Sequence, residues 1–172
     1  LLDGGTQDYS LIISVEAPPV PGTFLIDEDF AGAILPAGWS VHTQQGVSWT
    51  INEPVPGDTR LDNHTGGSGP YAIVDNNFTN QTVTSLRSPL LDLSEFDSAV
   101  LRFSSYFFFD LLESISVEIS TDGGSNWTLA WENFGVIHDP RRIVLDLSDS
   151  IAGQASVMLG FRYDSNGDTQ GN

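Results

Sequence analysis

Carboxylates are the side chains of this sequence best supplied for chemistry. Asp and Glu number 23 against six basic residues, a formal net charge of −17. They gather in four places: Asp27-Glu28-Asp29, Asp62-Asn63, Asp75-Asn76-Asn77 and Asp164-Ser165-Asn166-Gly167-Asp168. Calcium takes about six to eight oxygen ligands from carboxylates, amides and carbonyls. The last cluster sets Asp or Asn at i, i+2 and i+4 with Gly between, like the opening of a calcium loop, which makes Asp164 and Asp168 candidate ligands. It follows a strand and lacks the downstream Glu of an EF-hand; its plainer reading is a solvated turn. Paired carboxylates can also cleave glycosides. Acidic residues are so abundant here that a pair by itself means little.

Other catalytic arrangements find less support. His42, His64 and His138 show no His-x-x-x-His spacing, which speaks against a zinc hydrolase. A Gly-x-Ser-x-Gly elbow is absent, and no glycine-rich loop precedes a helix to cradle phosphate. Sugar binding needs exposed aromatic faces beside polar groups. The candidate rings are Trp39, Trp49, Tyr71, Trp127 and Trp131. Trp131 is the expected exposed ring, with Glu132 and Asn133 beside it as the ligand-binding set. The negative charge argues against nucleic acid and anionic membrane partners. There is no cysteine, so disulfides and thiolate metal sites are excluded. No apolar run approaches the ~20 residues that span a bilayer.

These groups must be held by strands. Ser114 to Ser120 alternates strictly, with Ile115, Val117 and Ile119 on one face and Ser114, Ser116, Glu118 and Ser120 on the other. That predicts a strand with one buried and one wet face. Asp122-Gly123-Gly124 then predicts a hairpin turn, after which Trp127, Leu129 and Trp131 resume the alternation. Ser120-x-Asp122-x-Gly124-x-x-Trp127 fits the Asp-box pattern, in which the Asp holds the turn and the Trp anchors it. A single copy does not make a propeller.

Further short strands are predicted at 24–30, 39–41, 48–51, 71–74, 83–86, 98–109, 142–147 and 156–163, without sustained helical periodicity. The 98–109 strand is aromatic-rich, and its rings read as filling between two sheets. The expected fold is all-β, an antiparallel β-sandwich with jelly-roll topology. Residues 9–15 read as another strand, and Ala17-Pro18-Pro19-Val20-Pro21-Gly22 as a stiff extended stretch. The expected organisation is a tail strand of a preceding β domain at 1–17, a linker at 18–23 and the main domain at 24–172. The alternative is that the first strand edges the main domain.

The order of landmarks carries a resemblance. Glu28-Asp29-Phe30 precedes Leu35-Pro36-Ala37-Gly38-Trp39. Ser48-Trp49, Asp62 to Tyr71, Leu86-Arg87-Ser88-Pro89-Leu90 and Leu101-Arg102-Phe103 follow. Over roughly residues 24–163 this series resembles the MAM-like jelly rolls, which include the cleaved-adhesin and choice-of-anchor J domains of secreted bacterial proteins. The resemblance implies a non-catalytic adhesion or binding module, engaging a carbohydrate or an extracellular protein surface. It also implies a structural calcium ion near the first strand, with Glu28, Asp29 and Asp62 as preferred ligands. In that family the last strand ends on an acidic pair; this sequence stops before one, so that strand is expected to be missing. Thr6 to Ser14 looks like the closing strand of β domains that accompany secreted bacterial peptidases. The expectation is therefore an accessory module of a secreted, extracellular, multidomain protein. Two alternatives stand beside it: a jelly-roll glycoside hydrolase or lyase using paired carboxylates, and a structural spacer without ligand.

Overall fold

A computed structural model of the chain describes residues 13–16, 24–55, 62–67, 69–76, 81–107, 113–134 and 137–165. Strands β1 (Ile13–Glu16), β2 (Phe24–Glu28), β7 (Val100–Phe107) and β10 (Ile137–Asp146) form one antiparallel sheet, in the order β10-β7-β1-β2. Strands β3 (Ser40–Gln45), β6 (Val83–Arg87), β8 (Ser114–Ser120), β9 (Thr128–Asn133) and β11 (Met158–Asp164) form a second, in the order β3-β6-β11-β8-β9. A short ribbon pairs β4 (Thr50–Asn52) with β5 (Tyr71–Ile73), and one helical turn, α1 (Ser148–Ile151), follows β10. From β6 the chain crosses to β7 and returns to β8, stays in that sheet for the β8–β9 hairpin, then crosses to β10 and returns to β11, the winding of a jelly roll. The fold is the all-β antiparallel sandwich that the alternating segments predict.

The two sheets meet through aromatic rings. Leu101, Phe103 and Phe107 point inward from β7, and Leu159, Phe161 and Tyr163 from β11. Phe103 stands edge-on to Phe161 at 5.6 Å between centroids, and Phe107 edge-on to Tyr163 at 6.4 Å. Each such pair adds about 0.5–1.5 kcal/mol beyond the area it buries. One end of the sandwich is closed by a chain of buried donors and acceptors. The Val47 amide donates to Thr82 Oγ1 (3.1 Å), and Thr82 Oγ1 to Asn76 Oδ1 (3.4 Å). Asn76 Nδ2 donates to the Tyr163 hydroxyl (3.1 Å), which donates to Glu113 Oε1 (2.8 Å). Polar groups this deep cost stability unless they find partners, and these satisfy one another.

Three sequence expectations need revising. Residues 13–16 are not the tail of a separate domain. Ser14 pairs with Asp27 on one side and with Arg102 on the other, so β1 is an interior strand of this sheet. The remainder of the expected tail and linker lies outside the described residues. The polar side of β8 is not wet either, because Ser114, Ser116 and Ser120 are all buried. Serine is short, and Ser116 lies in register between Arg162 and Glu132, whose longer side chains screen it. Finally, the alternation after the hairpin does not run straight through. Glu118 pairs with Leu129 and Val117 with Trp131, so Ala130 is the extra residue of a β-bulge. One inserted residue exchanges inward and outward positions.

Candidate functional site

The segment that follows β2 departs from strand geometry at once. Glu28 Oε1 accepts the Phe30 amide (2.6 Å) and Asp29 Oδ1 accepts the Ala31 amide (2.9 Å), which turns the chain. The Ala33 amide then donates to the Phe30 carbonyl at 3.0 Å. Phe30 and Ala33 both take left-handed backbone conformations, φ +58° and +52°. A residue with a Cβ loses about 1–2 kcal/mol there, so packing must hold the loop. Phe30 is fully buried and meets the buried Trp39 edge-on at 5.7 Å. Between these two rings the loop tip is thrust outward: Ile34 is 71% exposed and Leu35 39%.

Beneath the tip lies a cleft of about 290 Å³, walled by Ala33, Ile34, Leu35, Val41, Trp49, Thr50, Ile51 and Leu86. No wall residue is charged. The polar side chain in the wall, Thr50, turns its hydroxyl to Asn52 Oδ1 at 3.3 Å. An apolar cavity of about 150 Å³ suffices to bind benzene, so this cleft has room for an aromatic ring or a pair of branched aliphatic groups. A second cavity, between Phe103, Ser105, Ile115, Val117, Trp131 and Phe161, measures only about 20 Å³, room for a water molecule at most.

The residues singled out in the sequence do not come together. Glu28 and Asp29 are turn acceptors for the loop just described. Asp62 Oδ1 accepts the Asn63 amide at 2.8 Å, and Asn63 in turn holds Thr65. Asp164 is paired with Arg162. Asp168 lies outside the described residues. Among the described residues no three His, Asp or Glu side chains gather where they could hold a metal ion. Trp131 is not the exposed ring that was expected. The bulge at Ala130 turns it inward, edge-on to Phe103 at 5.8 Å, and half-buries it against the core. Glu132 is exposed beside it and Asn133 is half-buried.

Of the other four candidate sugar platforms, three are buried and one is half-buried. Trp39, Trp49 and Tyr71 are buried. Trp127 is half-buried on the outer face of the five-stranded sheet, with the Arg87 guanidinium carbon 4.7 Å from its centroid. Gly160 clears a seat for it, since a Cβ there would sit 2.9 Å from Trp127 Cζ3. The Trp127 indole donates to the Gly124 carbonyl at 3.0 Å. Residues missed by sequence reasoning are the cleft walls, above all Ala33, Ile34, Leu35 and Ile51. A signal existed: Ala31-Gly32-Ala33-Ile34-Leu35 is apolar yet too short and glycine-broken to be a strand.

Sheets, loop and cleft together define a jelly-roll sandwich with an apolar exposed loop joining edge strands β2 and β3. Among solved structures, the K1 cleaved adhesin domain of Lys-gingipain (Kgp) from Porphyromonas gingivalis W83 has a similar fold, at 18% sequence identity and a TM-score of 0.50. The match covers 88% of this chain and 93% of that one. At that identity the likeness is one of fold. No family model and no curated protein matches the chain.

Proposed function

We propose that this chain is a non-catalytic binding module that adheres to protein surfaces through the 30–35 loop and the cleft beneath it. In this reading it serves as one domain of a larger secreted bacterial protein. The observation that carries the reading is the exposure of Ile34 over an apolar cleft whose walls carry no charge. Exposed apolar side chains beside a pocket favour contact with other apolar side chains over sugar hydroxyls, which need hydrogen-bonding partners. The burial of Trp39, Trp49 and Tyr71 and the half-burial of Trp127 and Trp131 support protein over carbohydrate. The fold it shares with a domain described as a cleaved adhesin supports adhesion and the multidomain setting.

The test is a side-by-side adsorption measurement on immobilised extracellular matrix proteins and on a glycan array, with wild type and Ile34→Asp. Retention on protein that Ile34→Asp abolishes is the expected result. Retention on glycans alone, indifferent to Ile34→Asp, overturns the reading. Release of reducing sugar from a polysaccharide, lost on one carboxylate substitution, would replace it with the glycosidase alternative.

A further inference from the structure

We infer that the cleft takes one aromatic or branched aliphatic side chain presented by a basic polypeptide segment. This rests on the protein-binding reading above and names the partner's chemistry. Size gives the first argument: about 290 Å³ is roughly twice what an isolated aromatic ring requires, so a ring fits together with part of the backbone that carries it. Exposure gives the second. A small molecule lodged in the cleft meets Ile34, which is 71% exposed, only on its cleft-facing side, whereas a polypeptide lying across the opening covers its outer side as well.

Charge gives the third argument. The segments that build the walls also bring Asp27, Asp29 and Glu53, all exposed, and Glu28 half-exposed. Arg87 is the basic residue nearest in sequence, next to the wall residue Leu86. It faces the opposite side of the sheet, over Trp127. With a net charge of −17, the chain draws in a positively charged partner and repels an acidic one. An anionic bilayer is repelled in the same way. Recognition therefore divides into two parts. The cleft supplies short-range apolar contact, and the carboxylates carried by the segments that build it supply attraction that weakens with salt over a Debye length of about 8 Å.

The experiment follows the Trp49 indole N–H signal by NMR, because Trp49 forms part of the cleft wall. The probe is a blocked pentapeptide with phenylalanine flanked on each side by two lysines. Control probes replace its phenylalanine with alanine or its lysines with glutamates. Toluene and neutral phosphatidylcholine vesicles complete the set. The expected result is saturable movement of the Trp49 signal with the lysine–phenylalanine peptide. Affinity should drop about tenfold or more without the phenylalanine or in Ile34→Asp, and fall progressively with added salt. Exposed Glu53→Gln should weaken binding less, chiefly at low salt.

Equal binding of the lysine and glutamate peptides overturns the basic partner but leaves the protein-binding reading standing. Toluene binding with no peptide binding, or vesicle binding that Ile34→Asp abolishes, overturns the polypeptide occupant. If no probe moves Trp49 and matrix proteins are not retained either, both this inference and the proposed function fail.

Discussion

Two turns of this molecule are each held by a carboxylate, and they are built to opposite ends. In the 120–127 turn Asp122 Oδ1 accepts the Ser125 and Asn126 amides (3.0 and 2.9 Å), and Oδ2 accepts Asn126 Nδ2 (2.6 Å). Ser120 Oγ donates to Asp122 and accepts the Gly124 amide. The left-handed positions fall on Gly123 and Gly124, which adopt them without strain. The 28–35 turn uses Glu28 and Asp29 in the same capping role but gives its left-handed positions to Phe30 and Ala33. Its tip is apolar where the other is polar. The first turn meets its own needs; the second exposes groups that another molecule could satisfy. Strained backbone and exposed apolar surface found together are a better pointer to a contact site than a polar turn closed by its own side chains.

The contrast can be broken or sharpened by substitution. The largest effect is expected at the seat of the hairpin: Gly160→Val drives a side chain into Trp127 and should cost about 2–3 kcal/mol in chemical denaturation, with peptide binding retained by the folded fraction. Ala33→Gly should do the reverse in the other turn, raising stability by about 1 kcal/mol as the left-handed strain is relieved. A loss of stability there would mean that the loop is not strained.

Acid denaturation gives a third, smaller effect. Hydrogen bonds from the Asn126 amide, the Asn126 side chain and Ser120 hold the Asp122 carboxyl down from 3.8 to about 2. A carboxyl depressed in the folded state stabilises above its unfolded value, and that contribution disappears as pH falls from 3.8 towards about 2. Asp122→Asn should flatten that part of the stability–pH curve, leaving the parallel background from Asp92 and Asp146, which are also lowered. The smallest effect is that of Ile34→Asp on folding, within about 0.5 kcal/mol. A substitution that silences binding while leaving the melting curve in place is the signature of a contact residue.

Legibility in the sequence followed the range of the interactions. The hairpin was readable because Ser120, Asp122, Gly124 and Trp127 bond within a few residues of one another. The buried side of β7 was readable because its alternation is regular from Leu101 to Phe107. The cleft was not, since its walls come from residues 33–35, 41, 49–51 and 86, which only the folded sheets bring together. Trp131 was misjudged for a specific reason: no residue type announces the bulge at Ala130 that reverses facing. Glu28 and Asp29, near the first strand, were read as calcium ligands. Their oxygens serve the backbone amides of Phe30 and Ala31, a local task that composition cannot distinguish from ion binding.

Strand β1 has a consequence for anyone who handles a shortened form of the chain. Among the described residues, Phe24–Glu28 joins its sheet through Ile13–Glu16. Trimming the polypeptide at the proline run would open an interior slot with hydrogen-bonding edges on either side. Such a truncated product would recruit stray strands, including those of its own copies, and its self-association would be an artefact of the cut rather than a property of the intact domain.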